Sequence, residues 1–385
     1  MIKIIHIPFF LFAITLFLSC NEEPGNEASS STEKLYFKDY VSPEYKWGYV
    51  NLEGAPVIKP IYDDARDFSF GRAAVNLNGK WGFIDKDGQL VLEHLYMDVI
   101  DFSEDRAFVK DFNSKWFLID LDGKVIQTLD FEAFNKFKFG MAPVSVSGQW
   151  TIIDRFGEPI INEKYDIISI MDSTHYIYKF KDQWGIRTID KKDVLERKYD
   201  RINIISSDLA KLKSKGKYIL YDKSVNAFSK AFDKIISTDK GETHYVISGN
   251  SAYWMDKTFN LTKAPFFEKV RALEYDRWKF KQDDKWGLMD SSGKIIVSPR
   301  FDLVNKYYSK RAAFSEDDKW GYLDLNGNIV MDPVLGLGWD FRDNRCRIIT
   351  GNGFGLIDTS FNLIIKDKYR ELRDFYGNRA RFQNI

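Results

Sequence analysis

Residues 80–92 read Lys80-Trp81-Gly82-Phe83-Ile84-Asp85-Lys86-Asp87-Gly88-Gln89-Leu90-Val91-Leu92. The aromatic and β-branched residues at 81–84 predict a strand, because such side chains fit a pleated, half-buried surface. Asp85-Lys86-Asp87-Gly88 predicts a tight turn in which Gly88 can take a positive φ. The run 89–92 returns as a second strand, so the stretch is a hairpin. Phe83 and Ile84 are adjacent and both apolar, so one strand carries apolar groups on both faces. A lone hairpin cannot cover both of them, and neighbouring units must.

Outward from this stretch the phrase repeats. The place of Trp81 is taken in turn by Trp47, Trp116, Trp150, Trp184, Tyr218, Ala252, Trp286, Trp320 and Phe354. The step between these anchors is constant, except for one extra residue between Trp81 and Trp116. Gly48, Gly82, Gly185, Gly287, Gly321 and Gly355 follow their anchors directly. Asn51, Asp85, Asp120, Asp154, Asp222, Asp256, Asp290, Asp324 and Asp358 share a second place, at the end of the anchor strand. Near the middle of most copies stands an aromatic, usually with an acid behind it, as in Tyr62-Asp63, Tyr165-Asp166 and Phe301-Asp302. Later in the copy comes a small-or-apolar pair with one residue between, such as Ala107 and Val109, or Ala380 and Phe382. Segments 96–102 and 107–110 predict a third and a fourth strand, and nothing keeps a helical period. The reading is all-β, with ten tandem copies filling residues 35–385.

The Trp-Gly pair has a physical reason. Trp supplies the largest buried area of any side chain, and Gly removes a Cβ where a strand or ring must come close. The ten copies resemble the WG (or KWG) β-repeat family. The resemblance implies a repeat architecture and no particular activity. Copies six and seven depart from the motif, with Tyr218-Ile219 and Ala252-Tyr253 in place of Trp-Gly and Trp254 two residues later, and copy five ends its strand at Arg187-Thr188-Ile189-Asp190. Two arrangements bury such units: an open β-hairpin solenoid or superhelix, and a closed β-propeller. A copy that runs only from Trp47 to Trp81 is short for a propeller blade, and ten copies is many, which favours the open form.

The N-terminus reads as an address. Met1 and Lys3 precede an apolar run from Ile4 to Leu18, then Ser19 and Cys20. That run is shorter than the roughly 20 apolar residues of a spanning helix. A small residue before a cysteine at this place resembles the lipobox of bacterial lipoproteins, in the relaxed form of Bacteroidetes. The resemblance implies a signal peptide over 1–19, a lipidated Cys20, and a membrane held through acyl chains. Residues 20–34 are polar and Ser-rich, a flexible tether. The acidic pair Glu22-Glu23 resembles a surface-export signal, so an outer-membrane lipoprotein displayed at the cell surface is expected.

With 56 basic and 56 acidic residues there is no electrostatic case for nucleic acid. Two cysteines, Cys20 and Cys346, make no disulfide framework. The Asp-Gly turn phrases at Asp85, Asp120 and Asp324 resemble the opening of a calcium loop but lack its closing Glu. His6, His94, His175 and His244 have no metal-ligand spacing. Cys346 stands where other copies carry Ala and reads as a small buried group. Repeated pairs such as Asp63-Asp64 read as punctuation, not as a glycosidase dyad. No cofactor, metal or catalytic residue is expected. The anchors Trp47, Trp81, Trp116, Trp150, Trp184, Trp286 and Trp320 are structural, while the off-register Trp278 and Trp339 are candidates for a surface contact. The expectation is a monomeric, non-enzymatic cell-envelope scaffold that holds a protein or envelope polymer. The alternative is a glycan-binding or glycan-hydrolysing protein with a site between copies. If a specialised site exists, the interruption from Tyr218 to Trp278 is its expected place.

Overall fold

A computed structural model describes residues 45–238, 240–350 and 353–384. The signal, Cys20 and the tether lie outside the described residues. Among those residues there is no helix; the chain forms antiparallel sheets, and none closes into a barrel. The tandem β-hairpin reading therefore holds.

Each copy is built as its turns dictate. Asp85 Oδ1 accepts the amides of Asp87 and Gln89 at 3.0 and 2.8 Å, which closes the turn after the Trp strand. The same carboxylate bonding recurs at Asp120, Asp154, Asp290, Asp324 and Asp358. Before the Trp strand, Asn78 and Gly79 both have positive φ (53° and 75°), the turn type that matches strand twist. The strand expected at 96–102 is broken at Met97: Leu90–Tyr96 ends one sheet and Asp98–Ser103 begins the next.

The sheets are four-stranded meanders set half a copy out of phase with the repeat. Asp64–Ala65, Arg72–Leu77, Lys80–Asp85 and Leu90–Tyr96 form the first sheet, so its Trp strand is third of four. Seven sheets have this form; one has three strands, its fourth reduced to the bridges of Trp150 with Tyr165 and Ile153 with Pro159. The remaining sheet has six strands, because Leu363–Leu372 runs unbroken from the end of one meander into the next. Counted as meanders there are ten, matching the ten copies.

The half-copy offset decides what happens at the ends. The first copy opens on a third strand, Trp47–Val50, and the last closes on a second strand, Ala380–Asn384. These two pair antiparallel, Gly48 with Phe382 and Val50 with Ala380, and complete one meander from both ends of the repeat array. Such pairing is the closure required by the second of the two expected arrangements. Connections of a single residue, such as Asp200 between Asp193–Tyr199 and Arg201–Ile204, let four strands fit into so short a copy.

The cores lie between sheets. Ten buried clusters are found among the described residues, each drawn from two neighbouring meanders. Ile84 packs with Tyr49 and Tyr62, whereas Phe83 beside it packs with Val99 and Phe102. One strand thus feeds two cores, as its two apolar faces predict.

Candidate interaction face and cavities

Most motif residues are spent on the fold. A Cβ added to Gly82 would lie 2.5 Å from the carbonyl oxygen of Leu92, and Gly48 and Gly321 meet Ile58 and Met331 in the same way. At these points the fourth strand bulges over the third, as the register shifts between Trp81 and Phe83 record. The lysine before the anchor pairs with the acid that follows the next aromatic: Lys46 with Asp63, Lys217 with Asp233, Lys285 with Asp302. The second oxygen of each acid accepts a turn amide, from Asn78, Gly249 and Asp317 respectively. Six of the seven anchor tryptophans are half-buried and Trp286 is buried, with Arg66 over Trp81 at 4.5 Å and Lys279 over Trp286 at 4.7 Å.

One registered feature escaped the sequence reading. Arg72, Arg106, Arg277, Arg311, Arg345 and Arg379 hold the same place in their copies, directly before the place of Ala107 and Ala380. Each donates Nε to a turn carbonyl of the next meander: Leu121, Arg155, Leu325, Thr359, Leu52 and Lys86, at 2.7–3.2 Å. The last two cross the closure. The spacing of these arginines was the available signal.

Trp278 is not a surface residue. It is fully buried, 5.2 Å edge-on from Trp254, in a cluster that also holds Ala252. Where the anchor shrinks to Ala252, Trp254 and Trp278 supply the missing bulk, so the irregularity of copy seven is a repacking. Trp339 is half-buried, with the Arg347 guanidinium 5.2 Å from its ring centre. Cys346 is buried, its Sγ 3.2 Å from the Tyr322 hydroxyl, and burial pushes the thiol up to about 12. The carboxylates read as possible calcium ligands accept turn amides, and no group of three metal-ligating side chains occurs among the described residues. His244 is buried with Nδ1 2.8 Å from Ser237 Oγ, and burial pushes it down to about 4. His175 Nδ1 lies 3.0 Å from Asp172; burial raises that carboxyl, but Lys223 and the Thr174 and His175 bonds outweigh it and hold it well below its usual range.

In a four-stranded meander the first and third turns share one end of the sheet. The arginine bonds join these ends from one meander to the next, and exposed aromatic side chains gather there. Phe70, Phe139, Tyr275 and Tyr376 stand at first turns and Phe156 at a third turn, the last 63% exposed. Between three first turns lies a cavity of about 400 Å³ lined by Leu273, Glu274, Tyr275, Tyr307, Tyr308 and Lys240. It borders copies six and seven, the interruption singled out in the sequence.

A second concavity, about 600 Å³, opens where the fourth strand of the three-stranded sheet is reduced to bridges. Arg187 sits there in a register place that is a buried apolar group in most copies, among them Ile84, Ile119, Ile153 and Ile357. It donates Nε to Asp193 at 2.7 Å and Nη1 to the Tyr165 hydroxyl at 2.9 Å. Tyr178, Phe180, Arg197, Lys164, Glu163 and Glu196 complete the lining. Bonding to Arg187 lowers the Asp193 carboxyl. Burial acts to raise Glu163, but its own amide and Lys191 prevail and lower it. Neither is a proton donor at neutral pH.

Residues 47–81, 81–116, 286–320, 320–353 and 354–384 match the family model described as WG containing repeat. No curated protein matches the sequence. Among solved structures, a eukaryotic initiation factor is similar at 8% identity and a TM-score of 0.45, covering 88% of this chain and 98% of that one. BamB from Moraxella catarrhalis is similar at 8% identity and 0.38, covering 84% and 98%. Hsv2p from Kluyveromyces lactis is similar at 10% identity and 0.34, covering 60% and 94%. Scores and identities this low bear on no binding property.

Proposed function

We propose that this chain is a non-enzymatic, monomeric scaffold of the cell envelope, tethered through a lipidated Cys20 at the outer membrane and displayed at the cell surface. On this reading it holds a protein or envelope polymer on the turn ends of its WG-repeat sheets. The observation that carries the reading is the set of exposed aromatic tips Phe70, Phe139, Phe156, Tyr275 and Tyr376 at those ends. Aromatic anchors of this kind dominate protein interfaces. The balance of 56 basic and 56 acidic residues gives nucleic acid no foothold.

Photo-crosslinking in intact cells tests it. A reactive residue at Phe139 or Phe156 is expected to trap discrete partners, and one at Phe112, on an opposite turn, is not. Equal capture from both ends, or none from either, would reject the face. Acyl labelling lost in Cys20→Ala, and protease shaving of whole cells, test the anchor and the display. One observation favours a second reading: the concavity around Arg187 combines aromatic and charged side chains, as a glycan site does. Saturable binding of purified cell-wall glycan, lost in Arg187→Leu, would support that reading against the protein scaffold.

A further inference from the structure

The repeat supplies its own control for charge. Two places beyond that of the registered arginine, on the second strand of a meander, four copies carry a basic residue that reaches the next meander: Lys211, Lys279, Arg347 and Arg381. Arg347 reaches the Leu372 carbonyl at 2.8 Å and Asp374 at 3.2 Å. Arg381 reaches the Ala65 carbonyl at 2.5 Å and Asp67 at 2.8 Å. Asp374 and Asp67 hold one register place, so each of these two arginines meets a carboxylate supplied by the following meander.

Copies five and seven keep the cation without the carboxylate: in copy five Lys211 donates to the Ile235 carbonyl, with Ser237 two residues on. In copy seven Lys279 stands where Arg347 and Arg381 stand, and its Nζ donates to the Val304 carbonyl, the counterpart of Leu372 and Ala65. The residue in the place of Asp374 and Asp67 is Lys306, which pairs with Glu274 at 2.8 Å. Arg271 adds a third cation. Arg271, Lys279 and Lys306 line one cavity of about 290 Å³, together with Ser237, Ile236 and Leu273, and no carboxylate of the described residues is in that lining. With Lys306 matched by Glu274, Arg271 and Lys279 contribute two positive charges to this lining.

We propose that this cavity binds a phosphate group, free or carried by a small molecule. Two charges match hydrogen phosphate, and the guanidinium, the ammonium and the Ser237 hydroxyl supply the hydrogen bonds that oxyanions take. Burial, with Arg271 beside it, pushes Lys279 down to about 8, and an anion beside the ammonium would reverse that cost. The site is independent of the aromatic turn face, and either can fail without the other.

The test is calorimetry and thermal melting of the full chain with sodium phosphate, against sodium chloride of equal ionic strength. A third arm uses glycerol 3-phosphate. Phosphate is expected to bind with one site and to raise the melting temperature above the chloride control. Arg271→Gln and Lys279→Met should each weaken it about tenfold or more, the loss expected for a charge-assisted hydrogen bond. Lys306→Asp, which places there the carboxylate that Asp374 and Asp67 supply at their own sites, should abolish binding. Tighter binding of glycerol 3-phosphate would assign a phosphorylated small molecule, and equal binding the free ion. If phosphate acts no differently from chloride, or if Arg271→Gln and Lys306→Asp bind it as the unmodified chain does, the proposal is wrong.

Discussion

The pairing of the first strand with the last makes a quantitative claim about Phe382. This side chain is fully buried, its ring 4.7 Å from that of Tyr369, in a cluster with Val50, Leu356, Leu372 and Phe375. Its backbone faces Gly48 on one side and Leu372 on the other. Truncating a buried Phe to Ala costs ~3–5 kcal/mol through lost transfer energy and the cavity left behind. Unfolding entropy near 2.1 cal/mol/K per residue gives about 0.7 kcal/mol/K for an array of this size, so Phe382→Ala should lower Tm by ~4–7 °C. Phe314 holds the same register place in an interior copy and is equally buried, so Phe314→Ala should cost the same. In a linear stack the terminal strand would fray ahead of the rest, and Phe382→Ala would leave Tm almost unmoved. Calorimetry of both variants decides, with amide exchange of 47–50 as a local check. A drop below about 1 °C for Phe382→Ala beside a full drop for Phe314→Ala would refute the closure.

Three further outcomes follow from the packing. Gly82→Ala should destabilise by ~1–3 kcal/mol, since the new methyl meets backbone and not a movable side chain; urea denaturation measures it. Arg345→Met should cost ~1–2 kcal/mol by leaving the Leu52 carbonyl without its charged donor, and should speed amide exchange around Leu52. His244 is held near 4 against an ordinary 6.5, so the unfolded chain takes up a proton that the folded chain refuses. Its contribution is full above pH 6.5 and is lost between 6.5 and 4, on the order of 3 kcal/mol; in His244→Ala, the residue found there in several copies, that part of the acid limb should flatten.

Much of this fold is legible because the physics is local. Asp85 and Gly88 fix a turn, Asn78 and Gly79 another, and adjacent Phe83 and Ile84 announce a strand covered on both sides. The circular contact order was harder to read, because a window framed on Trp47 hides the fact that a third strand opens the array. That frame contained the clue: a repeat beginning at a third strand and ending at a second leaves two half-sheets that complete each other. The Arg bonds were missed because arginine at a surface place looks solvated until its carbonyl partner, far along the chain, is known. Trp278 misled for a different reason. A large residue in a small residue's place signals a surface contact only if its neighbours keep their size, and Ala252 had given up its own.

The shared meander also limits how this gene can change. A linear stack can gain or lose a copy at either end and leave every other interface as it was. Here a copy added or removed would require every sheet-to-sheet angle to readjust before Trp47–Val50 could meet Ala380–Asn384 again. Copy number is therefore a property of the whole assembly. Drift of the kind seen at Tyr218 and Ala252 becomes the permitted route of divergence, because it alters the contents of a sheet and not their number.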